Sequence, residues 1–256
     1  MERIESLKNQ KVKDWKKLQT RKGRKKAQQY ILEGFHLVEE AVKAGEEISH
    51  LLIREDILQD SLKLNWVNQL SAECIEITDS VARDMADTET SQGVFAVVNI
   101  TEKMIPQEIH SPYLFLDAVQ DPGNVGTLIR SADAAGFEGI VLGEGSADLY
   151  NAKTLRSAQG SHLHLPVYQA DLKEWINRFQ TEGRPVFGTA LDNRAVPYNG
   201  EKQTEPFALI VGNEGSGVSQ ELLLLTDKNL YIPIKGQAES LNVAIAASIL
   251  MFSLYA

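Results

Sequence analysis

From residue 113 onward the chain keeps returning to one pattern: a short, almost wholly apolar run, a polar turn, then a segment of helical periodicity. The runs are YLFLDAV (113–119), EGIVLG (138–143), LHLPVY (163–168), PVFGTAL (185–191), FALIVG (207–212) and LYIPI (230–234). The helical segments are VGTLIRSADAAG (125–136), NAKTLRSAQG (151–160), DLKEWINRFQTEG (171–183) and the apolar stretch after Ser240. Runs apolar at nearly every position, not at every second one, are buried on both faces, as strands of a parallel sheet are. The alternation therefore predicts an α/β fold with a mostly parallel sheet covered on both sides. Such sheets bind ligands beyond the carboxyl ends of their strands, so the loops there are the first place to look for chemistry.

The first hundred residues make a second, smaller α/β unit. YILEG (30–34), ISHLLI (48–53), CIEIT (74–78) and GVFAVVNI (93–100) read as strands. FHLVEEAVKAG (35–45), stopped by Gly45, LNWVNQLSA (64–72) and VARDMAD (81–87) read as helices. TEKMIPQEIHSP (101–112) has two prolines and little periodicity, which makes it a linker. The expected division is 1–100, a linker over 101–112, and 113–256.

Charge separates the two parts. Net charge is −9, which alone argues against nucleic acid, yet residues 1–26 hold eleven Lys and Arg against three acids. That arm is +8 and the remaining 230 residues are −17. A basic arm on an acidic body suits a polyanion met at one place; a solvated, charged helix is the alternative. The polyanion-contact candidates, which become RNA-contact candidates under the resemblance described below, are Lys11, Lys13, Lys16, Lys17, Arg21, Lys22, Arg24, Lys25 and Lys26. A single cysteine, Cys74, builds neither a disulfide framework nor a cysteine metal site. No signal peptide or membrane-spanning run is visible, so a cytoplasmic protein with no membrane contact is expected. The five histidines are scattered; His162 and His164, if on a strand, share a face but suit structure or a polyanion better than metal. No metal is expected.

Three loops carry the candidate chemistry. In AVQDPGNVGTLIR (118–130), Pro122 and Gly123 form a turn and Asn124 occupies an N-cap position, leaving N–H groups for an anion such as an RNA phosphate. Arg130 lies about one and a half turns into the helix and leans back toward its start. A capped helix with a solvent-facing arginine would read the same. In ALIVGNEGSGVS (208–219) an apolar strand runs into Gly212, Gly215 and Gly217, without the lysine of a P-loop or the spacing of a dinucleotide fingerprint. Glu214 among these glycines suits a cation or a hydrogen-bond donor; a plain flexible turn is the alternative. In YIPIKGQAESLNVAIAASILMF (231–252), Ser240 is placed to cap a helix that is apolar nearly all round from Leu241 to Leu254 and must be buried in the body or against another subunit.

Taken together and in order, NVGTLIR, GNEGSGV and IPIKGQAESLNVAIA resemble the three motifs of the SpoU (TrmH) family of RNA ribose 2′-O-methyltransferases, within the SPOUT class. Ile234 stands where the family usually has methionine. NQKVKDWKKLQTRKGRKKAQQYILEG (9–34) is similar to the family's accessory RNA-binding domain, whose fold resembles small ribosomal proteins. The resemblance implies a deep trefoil knot in the C-terminal segment and a homodimer through that domain, although chains normally avoid knots. It also implies S-adenosylmethionine as cofactor, held at Thr189, Ala190 and Leu191, at Gly212, and at Ile232, Ile234 and Leu241.

By the same resemblance Arg130 is catalytic, with Asn124, Glu214, Ser240 and Asn242 completing the site. A guanidinium stays charged and has no acceptor, so Arg130 suits gripping a phosphate and stabilising a developing alkoxide better than acting as base. Glu214 could orient Arg130 or accept the proton, and that choice stays open. The expected reaction is methyl transfer to a ribose 2′-hydroxyl, with ribosomal RNA favoured over transfer RNA. The competing readings are a catalytically inactive RNA-binding assembly factor and a nucleotide-binding enzyme using residues 212–217.

Overall fold

The computed structural model describes the chain except for residues 61–64, 68–71, 193 and 256. Two compact units are present: Met1–Glu102 with Tyr150–Leu163, and Lys103–Leu149 with His164–Ala256.

The first unit runs β1 (Glu2–Ile4), α1 (Gln10–Lys17), α2 (Arg21–Ala27), β2 (Gln29–Glu33), α3 (Phe35–Lys43), β3 (Ile48–Arg54), β4 (Cys74–Ile77), α4 (Asp79–Met85) and β5 (Val94–Asn99). Its five strands lie in the order β1-β4-β3-β5-β2, with the β1–β4 and β3–β4 pairs parallel and the β5 pairs antiparallel. Alternation along β5 splits the core. Val94, Ala96 and Val98 join α3, while Phe95 and Val97 face Val12, Trp15 and Leu18 of α1 and its end. Much of the helix expected at 64–72 lies outside the described residues; 65–67 are helical.

The basic arm departs from expectation. It is a folded layer of this unit, not an appendage: β1 pairs with β4, and Val12 and Trp15 fall three apart on the buried side of α1. Several of its cations are engaged within the protein, Lys11 with Glu2, Lys16 with Asp84 and Lys17 with Asp14. Arg24 is buried, and its Nη1 donates to the Leu18 carbonyl at 2.7 Å, which removes it from the RNA-contact candidates.

The second unit continues β6 (Tyr113–Asp117), α5 (Pro122–Ala134) and β7 (Gly139–Leu142). The chain then returns to the first unit for α6 (Ala152–Ala158) and most of α7 (Ser161–His164). It resumes with β8 (Val167–Gln169), α8 (Leu172–Thr181), β9 (Val186–Thr189), β10 (Val196–Pro197), β11 (Ala208–Gly212), α9 (Gln220–Leu223), β12 (Lys228–Tyr231) and α10 (Val243–Leu254). The seven-stranded sheet is parallel throughout, in the order β10-β12-β9-β11-β6-β7-β8. Tyr113 and Phe115 of β6 pack with Trp175 and Phe179 of α8 on one face. Leu114 and Leu116, equally buried, point to the other face, where α5 and α10 pack.

Residues 163–168 are not a strand from end to end. α7 takes residues up to His164, and β8 starts only after Pro166, which cannot donate to the ladder. The shared-face argument for His162 and His164 therefore fails: His162 is buried, and His164 is exposed with Nδ1 2.8 Å from Asp133. Among the described residues no group of three His, Cys, Asp or Glu could hold a metal ion, and no helix is long and apolar enough to cross a membrane.

Candidate active site

Strand order brings the three loops together. From β6 the chain steps outward through β7 and β8, crosses to β9, and inserts β11 between β9 and β6. The carboxyl ends of β6 and β11 are thus neighbours at the point where the order reverses, with Gly212 paired to Asp117. On the other side Leu230 pairs with Thr189, and the Ala190 N–H donates to the Leu230 carbonyl at 3.1 Å. The loops after β6, β9, β11 and β12 all open on one edge.

Side chains join the motifs across that edge. Asn242 Nδ2 donates to Asn124 Oδ1 at 3.0 Å, and Asn124 Nδ2 donates to Glu214 Oε1 at 2.9 Å. Residues 90 and 118 positions apart in sequence are linked in one relay. Glu214 also accepts from the backbone N–H groups of Asp121, at 3.0 Å, and Gln120, at 3.1 Å.

Two expected caps are corrected. Asp121, not Asn124, caps α5: its carboxylate accepts from the Asn124 N–H at 2.9 Å, and Pro122 is the first helical residue. Asn242, not Ser240, caps α10, accepting from the N–H groups of Ala244 and Ile245. Ser240 is exposed and makes no hydrogen bond among the described residues. The turn before α5 is also no vacant anion site, because Glu214 and Asp121 already occupy the N–H groups of residues 120, 121 and 124.

Burial pushes the Glu214 carboxyl up, but the hydrogen bonds from Asn124 and from backbone N–H groups outweigh it, and the net shift is downward. Glu214 is therefore a carboxylate at neutral pH and a weak base. A depressed folded value adds stability that is present above the ordinary carboxylate pKa and is lost as pH falls through the lowered one. Glu214→Gln is accordingly expected to be less stable than the parent at pH 7, with the gap closing as pH drops below about 4.5, the ordinary value. Urea unfolding of both proteins at pH 7 and near pH 3.5 checks this; a gap independent of pH would refute it.

Arg130 is exposed on α5, and its side chain makes no ion pair or hydrogen bond among the described residues. Its neighbours Leu128, Ile129 and Ala132 are buried and anchor the helix. The pairing with Glu214 considered from sequence is not made. Around the loops after β9 and β12, Leu191 is 83% exposed, Ile234 39% and Leu241 38%, Ile232 is half-buried, and Thr189 Oγ donates to the Ile210 carbonyl at 3.1 Å. Uncovered apolar side chains, strand-end backbone and no cation among Thr189, Ala190, Leu191, Gly212, Ile232, Ile234 and Leu241 fit an uncharged adenosyl group, not a polyphosphate.

Gly212 has a reason the sequence did not disclose. A Cβ there would sit 2.1 Å from the Gly217 carbonyl carbon and the Val218 nitrogen, so the first obstacle is the loop's own backbone. Sequence reasoning also missed Asn213, although an asparagine opening a glycine-rich turn signals an Asx-type closure. Its Oδ1 accepts from the Gly215 and Ser216 N–H groups at 2.9 and 3.1 Å.

The site lies at the switch point of the parallel sheet, is bound together by an Asn–Asn–Glu relay and lacks a P-loop, and comparison with known proteins supplies its class. The SpoU rRNA methylase family model matches residues 111–252, and the model of the MRM3-like substrate binding domain matches residues 9–96. The chain belongs to the SpoU family and is an S-adenosylmethionine-dependent RNA 2′-O-methyltransferase. Among its relatives, the 23S rRNA (guanosine(2553)-2′-O)-methyltransferase RlmP of Bacillus subtilis is 49% identical over 99% of both chains. An AdoMet-bound rRNA methyltransferase from Sinorhizobium meliloti superposes with a TM-score of 0.86 at 30% identity, covering 98% of this chain and 96% of that one. The SpoU methyltransferase AviRb from Streptomyces viridochromogenes, in complex with AdoMet, gives 0.86 at 27% identity, covering 96% and 97%.

Proposed function

We propose that the protein methylates the ribose 2′-hydroxyl of a guanosine in 23S ribosomal RNA. The observation that carries this reading is the relay from Asn242 through Asn124 to Glu214, which gathers all three motifs around the start of the helix bearing Arg130. The guanosine and the 23S RNA rest on the activity of the Bacillus subtilis relative, 49% identical over the full length.

When bound, S-adenosylmethionine supplies an electrophilic methyl on a sulfonium, leaving the chain to place a hydroxyl in line and manage its charge. Arg130, exposed and unpaired among the described residues, grips a substrate phosphate and stabilises the developing alkoxide. Three donors already on Glu214 support a holding role over a basic one, so the proton passes to water or an RNA phosphate. Thr189, Ala190, Leu191, Gly212, Ile232, Ile234 and Leu241 hold the adenosyl group, and Ser240 completes the RNA side of the pocket.

The same reading gives the C-terminal segment a deep trefoil knot and the first unit a ribosomal-protein-like RNA-binding role in a cytoplasmic enzyme. It also makes the protein a homodimer through the catalytic unit. Ile245 and Phe252, exposed on a helix whose other side is core, support a partner surface. Mapping 2′-O-methylation in 23S RNA from cells with and without the gene tests the activity. One guanosine should lose its methyl and regain it with the purified protein, and an unchanged map refutes the reading.

Lys13, Lys22 and Lys25 are exposed and carry no ion pair among the described residues, which supports them, with exposed Arg21 and Lys26, as the phosphate contacts. Changing Lys13, Lys22 and Lys25 to glutamine is expected to flatten the slope of log affinity against log salt by about 0.7 to 0.9 for each phosphate no longer neutralised, with S-adenosylmethionine affinity unchanged. An unaltered slope would place the RNA elsewhere. Deleting residues 1–26 would instead strip Val12, Trp15 and Leu18 from the core and test folding.

A further inference from the structure

Ala118 has φ +53°, the left-handed region that alanine rarely adopts. Two other non-glycine residues share it among the described residues, Gln28 and Gln159, and both end helices, where the conformation is commonplace. Ala118 instead joins β6 to the turn before α5. Such an angle persists only where the surroundings hold it.

The surroundings that hold it come from the motif-two loop. Asn213 Nδ2 donates to the Ala118 carbonyl at 2.9 Å. The amide's orientation is set by its other end, where Oδ1 faces the Gly215 N–H, the Ser216 N–H and Ser216 Oγ, the last at 3.3 Å. The neighbouring Glu214 accepts from residues 120 and 121. Residues 213 and 214 therefore clasp 118–121 with opposite polarity, one donating to a carbonyl and the other accepting from two N–H groups. Loop closure itself uses Oδ1 and the backbone pair between Asn213 and Gly217, so the Nδ2 bond is the part of Asn213 that reaches out of its own loop.

We propose that Asn213 is a positioning residue for methyl transfer: by holding Ala118 left-handed, its Nδ2 sets the direction in which α5 presents Asn124 and Arg130. The inference rests on the catalytic reading of Arg130 given above. Misplacement of a reacting group by about 1 Å costs on the order of 10²-fold in rate, so a small rotation of α5 is enough to matter.

Asn213→Asp keeps the loop's acceptor and replaces the donor by an oxygen facing the Ala118 carbonyl. Single-turnover transfer from tritiated S-adenosylmethionine to undermethylated 23S RNA should fall by about 10- to 100-fold. Cofactor affinity should stay within about twofold, a split that a simple loss of folding would not give. Ala118→Gly in the Asn213→Asp background adopts the same angle without the bond, and should restore at least about a third of the lost rate. No rescue, or a rate for Asn213→Asp equal to the parent, overturns the proposal. So does a protein unfolded by circular dichroism in both backgrounds, because the side chain would then be holding the loop and not the angle. Arg130→Ala is assayed alongside. If it retains transfer, the catalytic reading falls and takes this one with it; if it is inactive while Asn213→Asp is normal, only the positioning role is lost.

Discussion

Arg130→Ala is expected to lower the rate of methyl transfer by about 10²- to 10³-fold while leaving the fold and S-adenosylmethionine affinity intact, the usual consequence of removing one group that stabilises developing charge. The size follows from what the arginine is asked to do. An alkoxide forming on the ribose needs a fixed cation, and no other residue of motif one carries a positive charge. The stability half of the prediction follows from exposure. The Arg130 side chain makes no bond that the fold needs, its helix is anchored by Leu128, Ile129 and Ala132, and alanine is the better helix former. Arg130→Lys should recover little, since a single ammonium lacks the planar fork that grips a phosphate at two points. Turnover at saturating cofactor, thermal melting and calorimetric titration with S-adenosylmethionine together check it. Substantial turnover in the alanine variant would remove Arg130 from the chemistry.

Gly212→Ala is expected to abolish measurable cofactor binding and to destabilise the catalytic unit by about 1–3 kcal/mol, the range for forcing extra volume into a packed site. The new methyl meets backbone at 2.1 Å on two atoms, and backbone cannot rotate away as a side chain would. The loop must open, and with it goes Glu214 and the hold on residues 120, 121 and 124. RNA affinity, which the proposed function assigns to the first unit, should survive. Cofactor titration, urea unfolding and an RNA-binding assay separate the three quantities. Wild-type cofactor affinity in this variant would mean that the loop is not closed as described.

Which parts of this were legible from sequence depends on how local the deciding physics is. Six apolar runs announced the parallel sheet because burial on both faces leaves its mark residue by residue. The loops were equally plain, since glycine, proline and asparagine punctuate a chain for local reasons. Caps were less so: Asp121 and Asn124 both satisfy the capping rule, as do Ser240 and Asn242, and three-dimensional register decides between them. The charge on residues 1–26 was counted correctly, but counting charge hid the spacing of Val12, Trp15 and Leu18 that folds the segment into the core. β1, three residues with two charges among them, offers no periodicity to find. The clasp of Asn213 on Ala118 was out of reach, because its two ends are 95 residues apart and neither is unusual alone.

The return of residues 150–163 to the first unit has a consequence for anyone who would exchange that unit between members of the family. The chain passes between the two units three times, so the crossing after Glu102 is only one of the seams. A graft ending at residue 102 would leave behind Leu155, 2% exposed in the first unit's core, and Tyr150, whose ring lies 4.5 Å from that of Tyr30. Leaving the leucine's site empty costs about 2–5 kcal/mol by analogy with truncating a buried leucine to alanine, a large share of what holds a domain of that size together. A first unit that travels whole must be transplanted as two segments, with a splice at each of the three crossings.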